Sequence, residues 1–187
     1  MGRIKAIITD FDGTLVNTFM ANYCAYKNAF KQYGYELTKE QYKECFGLRY
    51  DDFCKRMNIK EEDKNKIKEL KKNIYPNYFE YLTLNLNLLN FIKASHIVYG
   101  VKTCIASTAS RENLYNALRY FNIENYFDII ITGENVNKGK PNPEVYLKAL
   151  ALLECEPDEA LVFEDSETGC EAAENAEINY IKVINYE

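Results

Sequence analysis

Residues 4–18 read "IKAIITDFDGTLVNT". Ile4, Ile7 and Ile8 give an apolar, β-branched run of strand length that ends abruptly in Asp10 and Asp12, with only Phe11 between them. Gly13 and Thr14 follow. An apolar run of this kind predicts a strand buried on both faces, as in a parallel sheet covered by helices. Open α/β sheets bind their ligands just outside the carboxyl ends of the strands, so two carboxylates at this mouth mark a candidate site. Two positions apart on an extended segment, they lie on the same side.

Downstream, residues from about Val16 to Leu84 read as consecutive helices. Phe19, Tyr23, Tyr26, Phe30 and Tyr33 recur at three- and four-residue steps, an apolar stripe closed by Gly34. Thr38 followed by Gln41 predicts a capping box opening a second helix. Further helices are expected over Asp51 to Asn58 and over Glu61 to Tyr75, stopping before Pro76. From Leu88 the pattern changes. A helix to Tyr99, the strand "VKTCIAS", a helix from Arg111 to Phe121 and the strand "FDIIIT" follow one another. A helix from Glu144 to Leu153, the strand "ALVFED", a helix from Thr168 to Ala176 and the strand "YIKVI" complete the series. Strands alternating with helices of this length predict βαβ units and a parallel sheet. The expected architecture is α/β, a doubly wound parallel sheet with a small all-helical insertion after its first strand. The core is placed at 1–15 and 85–187 and the insertion at 16–84.

The 187 residues suffice for one core with a small appended domain. They are 47% hydrophobic and 27% charged with a formal net charge of −5, which predicts neither a nucleic-acid nor a membrane partner. The densest basic stretch, Lys55 to Lys72, is interleaved with Glu61, Glu62, Asp63 and Glu69, and Glu62 to Lys66 has helical pairing spacing. It reads as a solvated helix face. Cys24, Cys45, Cys54, Cys104, Cys155 and Cys170 form no CxxC pair, so free thiols are expected. Met1-Gly2 carries no acylation signal, since Ala6 stands where Ser or Thr is needed, and no signal peptide follows. A cytoplasmic protein is expected.

Each strand delivers chemistry to one edge. The first delivers Asp10 and Asp12, the second Ser107 and Thr108, the fourth Glu164 and Asp165. Between the third and fourth, "NKGKPNP" carries Lys140 at the start of a helix. Like charges about 4 Å apart repel by roughly 4 kcal/mol at an effective dielectric near 20. Four gathered carboxylates therefore call for protonation or a divalent cation. Oxygen donors without clustered His or Cys point to a hard ion, Mg²⁺ above all, which keeps positions open for phosphate oxygens. Asp10 can then act as a nucleophile on phosphorus, with Asp12 giving a proton to the leaving alcohol and later taking one from water. Gly13 allows the sharp exit from the strand, and Ser107 can donate a hydrogen bond to phosphate oxygens.

These residues resemble the haloacid dehalogenase-like (HAD) superfamily, whose four motifs stand here in order: "DFDGTLVNT", "IAST", "KGKPNP" and "VFEDSETGCEAA". The resemblance covers the whole chain. It implies a HAD-like Rossmannoid core, with 16–84 as the C1-type cap of the phosphoglycolate phosphatase and β-phosphoglucomutase branch. It further implies a phosphoric monoester hydrolase that uses an aspartyl-phosphate intermediate and Mg²⁺, acts on a small phosphorylated metabolite, and exists as a monomer or weak homodimer. Asp10 is then the nucleophile and Asp12 the acid/base, with Ser107 and Lys140 binding phosphate. Gly13, Thr14, Thr108 and, from the cap, Arg49 are the candidate substrate contacts. Asp10, the Asp12 main-chain carbonyl, Asp165 and, directly or through water, Glu164 are the metal ligands.

Departures from the pattern narrow the branch. Asp12 disfavours the dehalogenases, which dispense with the second acid. Asn17 stands where the family often has Asp. Asn22 stands where sugar phosphomutases carry a cap histidine, and "GLRYDD" does not match their cap arginine stretch, so a phosphomutase is the alternative. From another class, a receiver-like phospho-switch also uses acids, a hydroxyl and a lysine, but it has no cap. With His96 as the one histidine, a serine-histidine triad has no basis. "GENVNKGKP" has one residue too many for a phosphate loop, and Pro141 where Ser or Thr is required.

Overall fold

The structure, a computed structural model, describes residues 3–184. The Met1-Gly2 pair, read above for acylation, lies outside the described residues. The strands are β1 (Ala6–Thr9), β2 (Val16–Asn17), β3 (Thr83–Leu84), β4 (Lys102–Ala106), β5 (Ile129–Ile131), β6 (Ala160–Glu164) and β7 (Asn179–Lys182). The helices are α1 (Phe19–Gln32), α2 (Lys39–Cys45), α3 (Tyr50–Arg56), α4 (Glu61–Ile74), α5 (Leu86–Tyr99), α6 (Arg111–Tyr120), α7 (Glu144–Leu153) and α8 (Glu167–Asn175).

Five strands form one sheet in the order β5-β4-β1-β6-β7, and every pairing is parallel. All four residues of β1 are buried, because helices cover both faces. Ala6, Ile8, Cys104, Ala106, Val162 and Ile131 turn toward α7 and α8, packing with Tyr146, Ala149, Leu153, Ala172 and Ala173. On the other face the Phe91 ring of α5 meets Phe163 of β6 edge-on at 5.7 Å. Helix α5 begins at Leu86, two residues earlier than the apolar pattern suggests, because the Asn85 side chain accepts a hydrogen bond from Leu88 N and starts the helix there. It ends at Gly100, whose φ of +66° closes the last turn.

By internal contacts the chain divides into Met1–Asn17 with Thr83–Glu187, and Thr18–Leu82. The ends of the insertion are not helical as expected. Val16–Asn17 and Thr83–Leu84 pair as a short antiparallel ribbon, and Asn85 donates its N–H to Leu15 O and its side-chain amide to Thr14 O. These bonds assign the ribbon to the sheet-bearing unit.

The second unit is helical and has its own core. Phe30 is fully buried and stacks on Phe53 at 5.4 Å, while Tyr26 and Tyr42 meet Phe53 edge-on. The aromatic stripe of α1 is thus core. Thr38 and Gln41 form the capping box, at 3.1 and 2.9 Å. Chain reversal after α1 falls at Gly34, φ +79°. Pro76 lies within a 3₁₀ segment, Tyr75–Tyr81, that follows α4. The basic stretch is not wholly solvated as expected: Lys71 of α4 is buried, its Nζ donating to Asn22 Oδ1 at 2.7 Å, while Lys64 pairs with Glu61 and Lys66 with Asp63 at i,i+3 spacing. Phe30→Ala should therefore cost about 3–5 kcal/mol by opening a cavity within the aromatic cluster. Urea unfolding measures this, and a loss below about 1 kcal/mol would show that Phe30 is not central to that core.

Candidate active site

From β1 the chain runs outward through β4 and β5, then returns to the opposite side as β6 and β7, so the topological switch lies between β1 and β6. Thr9 is level with Phe163 and with Ile105, and Asp10 N donates to Phe163 O at 2.9 Å. Register alone therefore sets Asp10 beside Glu164 at the carboxyl edge, with Ser107 just beyond the neighbouring end of β4.

Lys140 enters from the turn before α7. Its Nζ donates to Asp10 Oδ1 at 2.6 Å and to Glu164 Oε1 at 2.6 Å, with its side chain only 7% exposed. The turn is tied to the first turn of α7 by Glu144, whose carboxylate accepts from Asn137 N and Lys138 N, both at 2.8 Å. Burial alone would lower the Lys140 pKa. The Asp10 carboxylate, Tyr146 and Glu164 outweigh it and hold Lys140 well above its ordinary range, so it stays cationic. Asp10 is pushed well above the carboxylate range, first by burial and then by Glu164, Asp12 and Asp165, against the pull of Lys140.

Glu164 is almost fully enclosed. Oε1 meets Lys140 and lies 3.4 Å from the Tyr146 hydroxyl, while Oε2 accepts from Ser166 N at 2.8 Å and Ser166 Oγ at 3.0 Å. Ser166 also caps α8 by accepting from Gly169 N. A Cβ on Gly169 would fall 1.8 Å from Glu164 Oε1, so the helix start and the carboxylate fit only with glycine there. Asp165 turns to the first loop instead, accepting from Thr14 Oγ1 at 2.8 Å. Its carboxylate lies where a Gly13 side chain would be, 2.1 Å from that Cβ position, and Gly13 itself has φ +95°. Burial, only partly offset by the Thr14 bond, pushes the Asp165 pKa up to about 6. The loop closes on itself through Gly13 N to Val16 O and Val16 N to Phe11 O, with Asp12 partly buried at its tip.

Ser107 is buried; its N–H goes to Ile131 O, and its Oγ accepts from Ala109 N at 3.0 Å. Thr108 is exposed, and its carbonyl lies 2.5 Å from a Cβ built on Gly133. Gly133 N donates to Ala109 O, and the Glu134 carboxylate accepts from Arg111 N at 2.8 and 3.0 Å. The loop after β5 thereby fixes the loop after β4.

Of the four acids expected around one cation, three fall into two networks, Asp10 and Glu164 on Lys140 and Asp165 on Thr14, while Asp12 lies partly buried in the loop after β1. Among the described residues no three His, Cys, Asp or Glu side chains form a group that could hold a metal ion. Arg49 is exposed at the start of α3, in the helical unit. His96 lies at the opposite edge of the sheet, its Nδ1 3.0 Å from Val101 O and 3.7 Å from Asp128. Sequence reasoning did not single out Tyr146, Ser166 or Gly169, and weighed Gly133 only as the start of a rejected phosphate loop. Only Ser166 carried a signal, a hydroxyl residue just ahead of a helix; Tyr146 reads simply as a core aromatic.

Residues 7–183 match the haloacid dehalogenase-like hydrolase family, and the chain belongs to it; it is a hydrolase. It is 32% identical over 185 residues to a phosphorylated carbohydrates phosphatase of Thermotoga maritima, covering 95% of this chain and 84% of that one. It is 25% identical to the pyrophosphatase PpaX of Halalkalibacterium halodurans, covering 98% and 85% of the two chains. The crystal structure of CbbY from Rhodobacter sphaeroides in complex with phosphate superposes with a TM-score of 0.87 at 25% identity, over 98% of this chain and 87% of that one.

Gly169→Ala should displace the Glu164 carboxylate or the start of α8 and cost about 1–3 kcal/mol. Thermal and urea unfolding test this, and an unchanged midpoint would mean the contact is slack.

Proposed function

We propose that this hydrolase is a Mg²⁺-dependent phosphatase that acts on a small-molecule phosphate monoester through an aspartyl-phosphate on Asp10. The observation that carries the reading is Lys140 Nζ held 2.6 Å from both Asp10 and Glu164 at the switch point. An amine so placed offsets the repulsion between an attacking carboxylate and a phosphate. Relatives that are a carbohydrate-phosphate phosphatase and a pyrophosphatase support phosphoryl hydrolysis.

Asp10 attacks phosphorus, and the P–O bond to the alcohol breaks as Asp12 gives the alcohol a proton. Asp12 then takes a proton from the water that attacks the aspartyl-phosphate, releasing inorganic phosphate and restoring Asp10. Lys140, the Ser107 hydroxyl and the loop from Gly13 to Thr14 hold the phosphoryl oxygens, and Thr108 borders them. The donor chemistry suits a hard cation: only oxygen ligands are offered, and Asp10 and Asp165 are both held above the ordinary carboxylate range by burial that an added positive charge would offset. Asp10, Asp165 and the Asp12 main-chain carbonyl would hold Mg²⁺, with Glu164 as a more distant partner. The ion would supply neutralisation of the phosphate charge.

Residues 18–82, the expected insertion without its terminal ribbon, serve in this reading as the cap that excludes water and selects the leaving group, with Arg49 a candidate anion contact. The substrate is a small phosphorylated metabolite. A cytoplasmic monomer or weak homodimer completes the reading; free thiols at all six cysteines bear on the compartment alone. No helix among the described residues is long and apolar enough to cross a membrane.

Asp10→Asn should lower phosphate release from a panel of sugar phosphates by about 10³-fold or more while the protein still folds. Residual turnover near wild type would remove Asp10 as the nucleophile, and an isomerised sugar phosphate in place of inorganic phosphate would point to a mutase. Chelation should abolish activity and added Mg²⁺ restore it. By calorimetry, Mg²⁺ affinity should weaken as pH is lowered through about 6, because protons compete for Asp165. An affinity independent of pH across that range would exclude Asp165 as a ligand.

A further inference from the structure

Tyr146 is fully buried in the first turn of α7, and burial in that position would ordinarily mark it as core filling. Two contacts set it apart. Its ring lies under Lys140, with Nζ 5.0 Å from the centroid, and its hydroxyl is 3.4 Å from Glu164 Oε1, the same oxygen that Lys140 reaches at 2.6 Å. A phenylalanine would fill the same space and offer the same face, but it would bring no donor to Glu164.

We propose that Tyr146 is a positioning residue for Lys140, holding the ammonium against its ring and supporting through its hydroxyl the carboxylate that shares that ammonium. The proposal rests on the reading of Lys140 as the amine that meets the phosphoryl group. An aromatic face attracts a cation through its quadrupole without adding charge. The hydroxyl gives Glu164 a neutral donor, so that this carboxylate draws less on Lys140, leaving more of the positive charge for Asp10 and the substrate. Pro143 O accepts from Tyr146 N at 2.9 Å, and Glu144 next to it ties down the loop that leads to Lys140. Backbone and ring thus reach Lys140 from one rigid helix start.

The test compares wild type, Tyr146→Phe and Tyr146→Leu with p-nitrophenyl phosphate and Mg²⁺. It also measures acylation of Lys140 by an amine reagent, read by peptide mass spectrometry. Tyr146→Phe should lower kcat about 3-fold, as for loss of one long hydrogen bond to a carboxylate, with KM within about twofold. Its Tm should shift by no more than about 4 °C. Tyr146→Leu, which loses the ring as well, should lower kcat further and acylate at Lys140 several-fold faster than wild type. Wild-type kcat in Tyr146→Phe would overturn the role of the hydroxyl. Unchanged acylation in Tyr146→Leu would overturn the role of the ring. Should wild type release no phosphate, the phosphatase reading fails and acylation alone decides: faster labelling in Tyr146→Leu than in wild type supports the positioning role, and equal labelling overturns it.

Discussion

Lys140 carries one positive charge into a setting where its side chain is 7% exposed, between Asp10 and Glu164 at 2.6 Å each. Taking ionised groups out of water costs several kcal/mol per ion, and the attraction repays it only when the remaining lone pairs and protons are also satisfied. The surrounding architecture meets that condition group by group. Ser166 satisfies the second oxygen of Glu164 twice, Tyr146 covers the first, and Glu144 anchors the loop from which Lys140 comes. Removing any one of these partners leaves a buried charge under-compensated, which is why so many neighbours of one lysine are constrained.

The two glycines at the site follow from the same condition. Gly13 and Gly169 stand where side chains would overlap the carboxylates of Asp165 and Glu164, at 2.1 and 1.8 Å. Neither helix α8 nor the first loop can approach the acids so closely with a Cβ in the way. Close approach lets backbone and hydroxyl groups reach the carboxylates, and it also expels water. Expelled water in turn raises the Asp165 pKa and Asp10 with it, so the site is built to favour an added positive charge.

Much of this was legible in the sequence because strand ends and helix starts have local causes. The β-branched run before Asp10, the Thr38 and Gln41 capping box and the boundaries of Glu144–Leu153 follow from patterns of a few residues. The convergence of Asp10, Lys140 and Glu164 was inferred from their places at and between strand ends; register sets Asp10 beside Glu164, and the turn before α7 brings Lys140 to both. What escaped is tertiary. The ribbon of Val16–Asn17 with Thr83–Leu84 joins segments more than sixty residues apart, through residues whose own pattern is ambiguous. The division of the acids between Lys140 and Thr14 depends on loop paths that no periodicity encodes. Tyr146 and Gly169 are ordinary helical residues until their neighbours are known.

The two edges of the sheet show what burial adds. At the amino edge Lys5 pairs with Glu159, and Asp128 accepts from Thr103 N and Oγ1 while meeting His96, yet the charged side chains stay largely in water or at its margin. Ion pairs so exposed are screened and contribute little. At the carboxyl edge Lys140, Asp10 and Asp165 are enclosed, and burial with their charged neighbours shifts all three. The sheet is equally regular at both ends. Chemistry is confined to one of them because only there do the loops after β1, β4 and β6, with the turn before α7, close over the charges and keep water from screening them.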